Sequence, residues 1–150
     1  MIKVCFKREQ EGQVDIYMLA PGISMCFDRI YTNSWTKGDN SLFSDQMLIF
    51  NFCMSGRCDV SLAHNRYAIV REKQICVSTF LPTKDFYYPG RLYEGVQIFV
   101  DLEYIRKANG MDFVSQMGIQ VEDIRKMFCK SNGTYLHRMS DVLQETVRAV

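Results

Sequence analysis

Histidine is scarce in this chain, with only His64 and His137 among its 150 residues. A catalytic or structural cation needs several nitrogen and oxygen ligands converging at about 2.0–2.2 Å. His64 falls in a predicted turn and His137 on a predicted helix, so the expectation is no metal and no cofactor. Charge of one sign is lacking too: 18 Lys and Arg stand against 17 Asp and Glu, a formal +1. That balance is far from the basic surplus with which a domain neutralises nucleic-acid phosphates. No run of eighteen or more apolar residues occurs, and the start Met1-Ile2-Lys3-Val4-Cys5-Phe6 lacks the apolar core and small-residue cleavage site of a signal peptide. No membrane contact and a cytoplasmic location are therefore expected. Gly-x-Ser-x-Gly, Gly-x-Gly-x-x-Gly and P-loop patterns are all missing, which leaves no candidate catalytic residue and points away from an enzyme. The six cysteines, Cys5, Cys26, Cys53, Cys58, Cys76 and Cys129, form no Cys-x-x-Cys pair. Their single, scattered placement suits reduced thiols. Cys53 and Cys58 flank a predicted turn and would face each other across two strands, but buried thiols are the expected state in a reducing compartment.

What is present is β-structure over the first two thirds. Short runs rich in β-branched and aromatic residues alternate with turn residues. Strands are predicted over 3–8, 14–19, 23–31, 47–54, 57–63, 67–70, 74–80 and 93–101. In the run from Met47, the side chains of Leu48, Phe50, Phe52 and Met54 share one face, while Ile49, Asn51 and Cys53 share the other. Ser55-Gly56 reads as the turn of a hairpin, after which Cys58, Val60 and Leu62 resume the alternation. Many short strands in a chain too small for two domains predict a sandwich or barrel closed to hide its edges. After Asp101 the period lengthens to about 3.6. Helices are predicted over 102–109, 111–117 and 121–130, with a last amphipathic helix capped by Thr134 and still running at Val150, an ending that reads as truncated. The fold class expected is mainly β with C-terminal helices, in one domain: a barrel over about 1–101 and helices over about 102–150.

Certain stretches resemble a known family. Leu48-Ile49-Phe50-Asn51-Phe52-Cys53-Met54-Ser55-Gly56-Arg57-Cys58-Asp59-Val60 looks like a hairpin whose apolar strand ends in Gly-Arg. Arg66-Tyr67, Ile75-Cys76-Val77-Ser78 and a Pro82 segment follow in order. Tyr93-Glu94-Gly95-Val96-Gln97-Ile98-Phe99-Val100-Asp101 is similar to the last barrel strand in the amino-terminal sensor domains of AraC-type transcription regulators. The resemblance covers roughly residues 40–150. It implies a cupin-like jelly-roll barrel that binds a small-molecule effector, a sugar among the candidates, followed by helices that form a homodimer. DNA would be contacted only through a C-terminal domain with two helix-turn-helix motifs, absent from this chain. The alternative is a cupin-type enzyme such as a sugar isomerase or dioxygenase.

An effector pocket is mostly apolar with a few placed polar groups. Phe27, Asn51, Phe80, Tyr88 and Gln97 are the candidates to line it, each weighed against an ordinary core or solvent-facing role. Trp35, the single tryptophan, reads as a loop residue that either stacks a sugar or packs the loop. On the predicted last helix Leu136, Met139, Leu143 and Val147 recur at three- and four-residue steps. That stripe serves as a dimer seam or packs on its own barrel; the resemblance favours the seam.

Overall fold

The computed structural model describes residues 2–37, 46–108, 116, 118, 120–128 and 133–150. Among these, the strands are β1 (Ile2–Arg8), β2 (Gly12–Ala20), β3 (Ile23–Ile30), β4 (Ser34–Trp35), β5 (Met47–Leu62), β6 (Arg66–Arg71), β7 (Gln74–Ser78), β8 (Phe86–Tyr87), β9 (Tyr93–Asp101) and β10 (Thr134–Arg138). The helices are α1 (Leu102–Lys107), α2 (Val121–Phe128) and α3 (Asp141–Arg148). The predicted helix over 111–117, apart from position 116, and Cys129 lie outside the described residues.

The pairings nest around a single tip. His64 and Asn65 both adopt positive φ, 58° and 56°, a left-handed pair that matches the twist of a tight hairpin. From that tip outward, β5 pairs antiparallel with β6, the first part of β5 with β7, β4 with β8, and β3 with β9. The nested hairpin then curls on itself, because β5 also pairs with β9 and β8. Two sheets result, one ordered β1-β2-β3-β9-β5-β7-β10 and the other built from β4, β8, β6 and the second half of β5. This is a jelly roll: a long hairpin wound into a two-sheet barrel.

β5 serves both sheets through a bulge, and here the structure corrects the predicted hairpin at Ser55-Gly56. Opposite β9, Cys53 aligns with Gly95 and Ser55 with Glu94, so Met54 is the extra residue. A bulge shifts the alternation by one residue and bends the strand. Odd-numbered residues Ile49, Asn51 and Cys53 face the barrel interior before it, and even-numbered Cys58, Val60 and Leu62 face inward after it. Gly56, at φ +80°, allows the bend, since a Cβ there would run into the carbonyl of Leu92. Cys53 and Cys58 consequently sit on one strand in one core cluster, together with Cys76, Tyr88 and Tyr93; they do not face each other across a hairpin. Cys5, Cys26, Cys53, Cys58 and Cys76 are free thiols.

The C-terminal prediction needs a larger correction. Thr134 opens a strand, not a helix: β10 pairs antiparallel with β7, Leu136 opposite Cys76. The helix starts seven residues later, with the Ser140 side chain accepting from the Leu143 amide at 3.2 Å and Asp141 in the first turn, where the helix dipole favours an acid. The stripe therefore belongs to two elements. Leu136 lies on β10 and is half-exposed, whereas Met139 and Val147 are buried against Phe52 and Val96 on the outer face of the barrel, with Leu143 packed beside them. A second outer cluster joins Leu48, Val77 and Val100 to Leu102 and Ile105 of α1. Asp101 caps α1 through the Tyr104 amide at 2.9 Å, as predicted. The region after 101 is thus helices interrupted by a strand that widens the barrel sheet. No helix among the described residues is long and apolar enough to cross a membrane.

Candidate functional site: the inner cavity

Between the two sheets lies a cavity of about 570 Å³. Its walls follow from the two-residue period of the strands that bound it. β2 contributes Val14 and Ile16, β3 contributes Ser24, Cys26 and Asp28, and β9 contributes Gln97 and Phe99. Trp35 and Phe86, paired across β4 and β8, together with Tyr88 close the opposite side. Trp35 is a buried strand residue, so its prediction as a loop residue is corrected. At the rim Arg8 spans three partners. Its guanidinium lies over the Trp35 ring at 4.6 Å, donates to Thr36 Oγ1 at 2.8 Å and meets Glu11 at 3.5 Å.

A polar seam runs across this apolar chamber. Asp28, 4% exposed, accepts a hydrogen bond from Gln97 Nε2 at 2.5 Å. No lysine or arginine among the described residues forms an ion pair with it. Burial pushes its carboxyl up to about 6, the Gln97 bond pulling the other way. One strand further on, the Tyr93 hydroxyl donates to Asn51 Oδ1 at 2.6 Å. Asn51 is aligned with Gln97 across β5 and β9. Gly95 makes room for this arrangement: a Cβ there would strike the Tyr93 ring. Burial also raises Cys26, Cys58, Tyr88 and Tyr93 above their ordinary ranges and pushes Cys53 up to about 12. The thiols and phenols around the carboxyl stay protonated at neutral pH.

The five predicted pocket residues divide. Tyr88 and Gln97 line the cavity. Asn51 and Phe80 border a small adjoining void of about 30 Å³ that shares Gln97 and Phe99 with it. Phe27 is a correction, because the strand period turns it to the outer face. There it meets Tyr17 edge-on at 5.6 Å and borders an open groove of about 710 Å³ beside Val150. Asp28 and Phe99 went unpredicted. A signal for Asp28 existed: it is an acid at an inward phase of β3, between Cys26 and Ile30.

Among the described residues no three His, Cys, Asp or Glu side chains gather as metal ligands. His64 sits at the hairpin tip against Phe80, and His137 stacks on Tyr135 at the exposed edge strand β10. Neither histidine lies on the inner face of the barrel beside Asp28.

No protein-family model matches the chain, and no curated protein matches it. Solved structures with a similar chain path are cupin-fold proteins. AerE from Microcystis aeruginosa is 10% identical with a TM-score of 0.48, covering 66% of this chain and 46% of that one. The E162A mutant of Bacillus subtilis oxalate decarboxylase is 11% identical with a TM-score of 0.46, covering 93% of this chain and 41% of that one. This chain spans less than half the length of those chains. The strand pairings above carry the jelly-roll assignment.

Proposed function

We propose that this chain is the effector-sensing domain of an AraC-type transcription regulator, which binds a small molecule between its sheets and acts by binding, not catalysis. The observation that carries the reading is the inner cavity, apolar in its walls and crossed by a few fixed polar groups, the composition of a recognition site. The ordered resemblance of residues 40–150 to the family adds the regulatory context. In this reading the chain works as a homodimer, and DNA is contacted by helix-turn-helix motifs on a separate domain. An effector would act by its differential affinity for two arrangements of barrel and helices.

A calorimetric and thermal-shift screen of the purified chain against metabolites tests this. A ligand at about 100 times its Kd raises stability by roughly 2.7 kcal/mol, and filling the cavity from within by Ser24→Phe should abolish that gain. Turnover of a bound compound would overturn the binding-only reading. A reading frame without helix-turn-helix motifs past codon 150 would overturn the regulator assignment.

A further inference from the structure

We propose that the ligand of the inner cavity is an organic amine that binds as a cation, its ammonium group on Asp28 and its apolar body against Trp35, Phe86 and Phe99. The inference rests on the cavity being a ligand site, and it names the chemistry the site selects.

The argument starts from a mismatch. A carboxylate deep in an apolar interior is costly unless a cation accompanies it. The Gln97 amide supplies one hydrogen bond to Asp28, but an amide carries no charge. Of the cations among the described residues that line the cavity, Lys7, Arg8 and Lys37, none forms an ion pair with Asp28. Arg8 is engaged by Glu11, Thr36 and the Trp35 ring, and Lys7 stands on β1, which is exposed along its length. An ammonium ion entering the cavity would complete the missing half of the pair with a charge-assisted hydrogen bond. The aromatic walls favour the same ligand, because Phe86 and Phe99 offer apolar surface to the amine's body.

A sugar fits less well. Its several hydroxyls each need a partner once out of water; Ser24, Asp28 and Gln97 supply partners along one wall only, and Val14, Ile16, Phe86 and Phe99 offer none. An anion would meet Asp28 charge to charge.

Three probes of one shape separate these classes on the intact chain: 2-phenylethylamine, the neutral 2-phenylethanol and the anionic phenylacetate, followed by ligand-observed NMR at pH 7.5. The amine is expected to bind at least about tenfold more tightly than the alcohol, the range of a charged hydrogen bond, and phenylacetate more weakly still. Asp28→Asn should erase the preference for the amine while the alcohol binds as before, which shows the cavity intact; Asp28→Ser should repeat the result. Equal binding of amine and alcohol, tighter binding of phenylacetate, or an amine indifferent to Asp28→Asn overturns the amine assignment. Binding of a pentose or hexose with no amine binding overturns it too and leaves the sensor reading standing. Failure of all three probes, of sugars and of an apolar reporter dye to enter the cavity overturns both.

Discussion

The two faces of the larger sheet are built on the same strands and do different work. On the outer face Leu48, Phe50, Phe52, Val96, Ile98 and Val100 form dry apolar clusters roofed by α1, Met139 and α3. On the inner face, one residue along on each strand, Asn51, Asp28 and Gln97 interrupt the apolar surface and a cavity is left unfilled. Close packing of the outer face provides stability, and tolerance of voids and buried polar groups on the inner face provides a site. Alternation lets β5 and β9 supply both without compromise.

The largest expected effect comes from a void on the packed side. Leu48 is fully buried between α1 and the sheet. Leu48→Ala should cost about 2–5 kcal/mol in urea unfolding, the range for deleting a packed leucine. Phe99→Leu, which enlarges a space already open, should cost under about 1.5 kcal/mol. Equal losses at the two positions would mean that the inner face is as tightly packed as the outer.

Next is the buried acid. Asp28 titrates at about 6 in the folded protein against 3.8 ordinarily. Its folded pKa is raised, so the native state holds the extra proton: the favourable contribution is full below about pH 4 and is lost as pH rises through about 6. The Cys26, Cys58, Tyr88 and Tyr93 groups near it are neutral throughout that window. Asp28→Asn keeps an acceptor for Gln97 and removes the charge. It should therefore match wild type near pH 4 and exceed it by up to about 3 kcal/mol at pH 7.5, two pKa units converted at 1.36 kcal/mol each. A gap independent of pH would place the carboxylate in contact with water or a cation.

A smaller effect is expected on the helix side. Leu143 sits at the edge of the outer cluster with Val147 and Met139. Leu143→Glu should lower stability by about 1–3 kcal/mol as a charge meets apolar surface. Sedimentation should show an unchanged oligomeric state, because the side chain packs on its own barrel. Dissociation of an oligomer without a drop in Tm would return Leu143 to an intermolecular seam.

These two faces also explain what could be read in the sequence. Period-two alternation in 47–54 grouped that strand's residues correctly, Leu48, Phe50 and Phe52 on one face and Ile49, Asn51 and Cys53 on the other, since one face is strongly apolar throughout; for 93–101 only the strand itself was read. Ser55-Gly56 was misread because a hairpin and a bulge both reverse the phase of alternation and both favour glycine. Thr134 to Arg138 was misread because Leu136 and Met139 happen to continue the three- and four-residue spacing of α3. Pairing with β7, a long-range contact, decides that segment, while the capping pair Ser140-Asp141 marked the true helix start. Of the cavity lining, Gln97 and Tyr88 were legible as polar and aromatic residues among strand neighbours. Asp28 was missed because an acid on a strand ordinarily faces water, and only closure of the second sheet buries it.

The smallest effect sharpens the comparison at the sheet's margin, where β1 borders the mouth of the cavity and is exposed along its length. Cys5 is exposed on this strand and aligned with Asp15 on β2. The neighbouring Asp15 carboxylate raises the pKa of its thiol, withholding the reactive thiolate. Cys26, Cys53, Cys58 and Cys76 are buried. Native alkylation at pH 7.5 followed by mass spectrometry should label Cys5 ahead of those four, which require unfolding. Replacing the carboxylate by Asp15→Asn leaves the thiol exposed and removes the charge, so the Cys5 rate should rise severalfold while the interior cysteines stay protected. Faster labelling of the interior cysteines in the same variant would show that Asp15, with Lys3 at 3.2 Å and Arg29 at 3.6 Å, clamps β1 and β2 over the cavity. An unchanged Cys5 rate would remove the carboxylate as the brake on its reactivity.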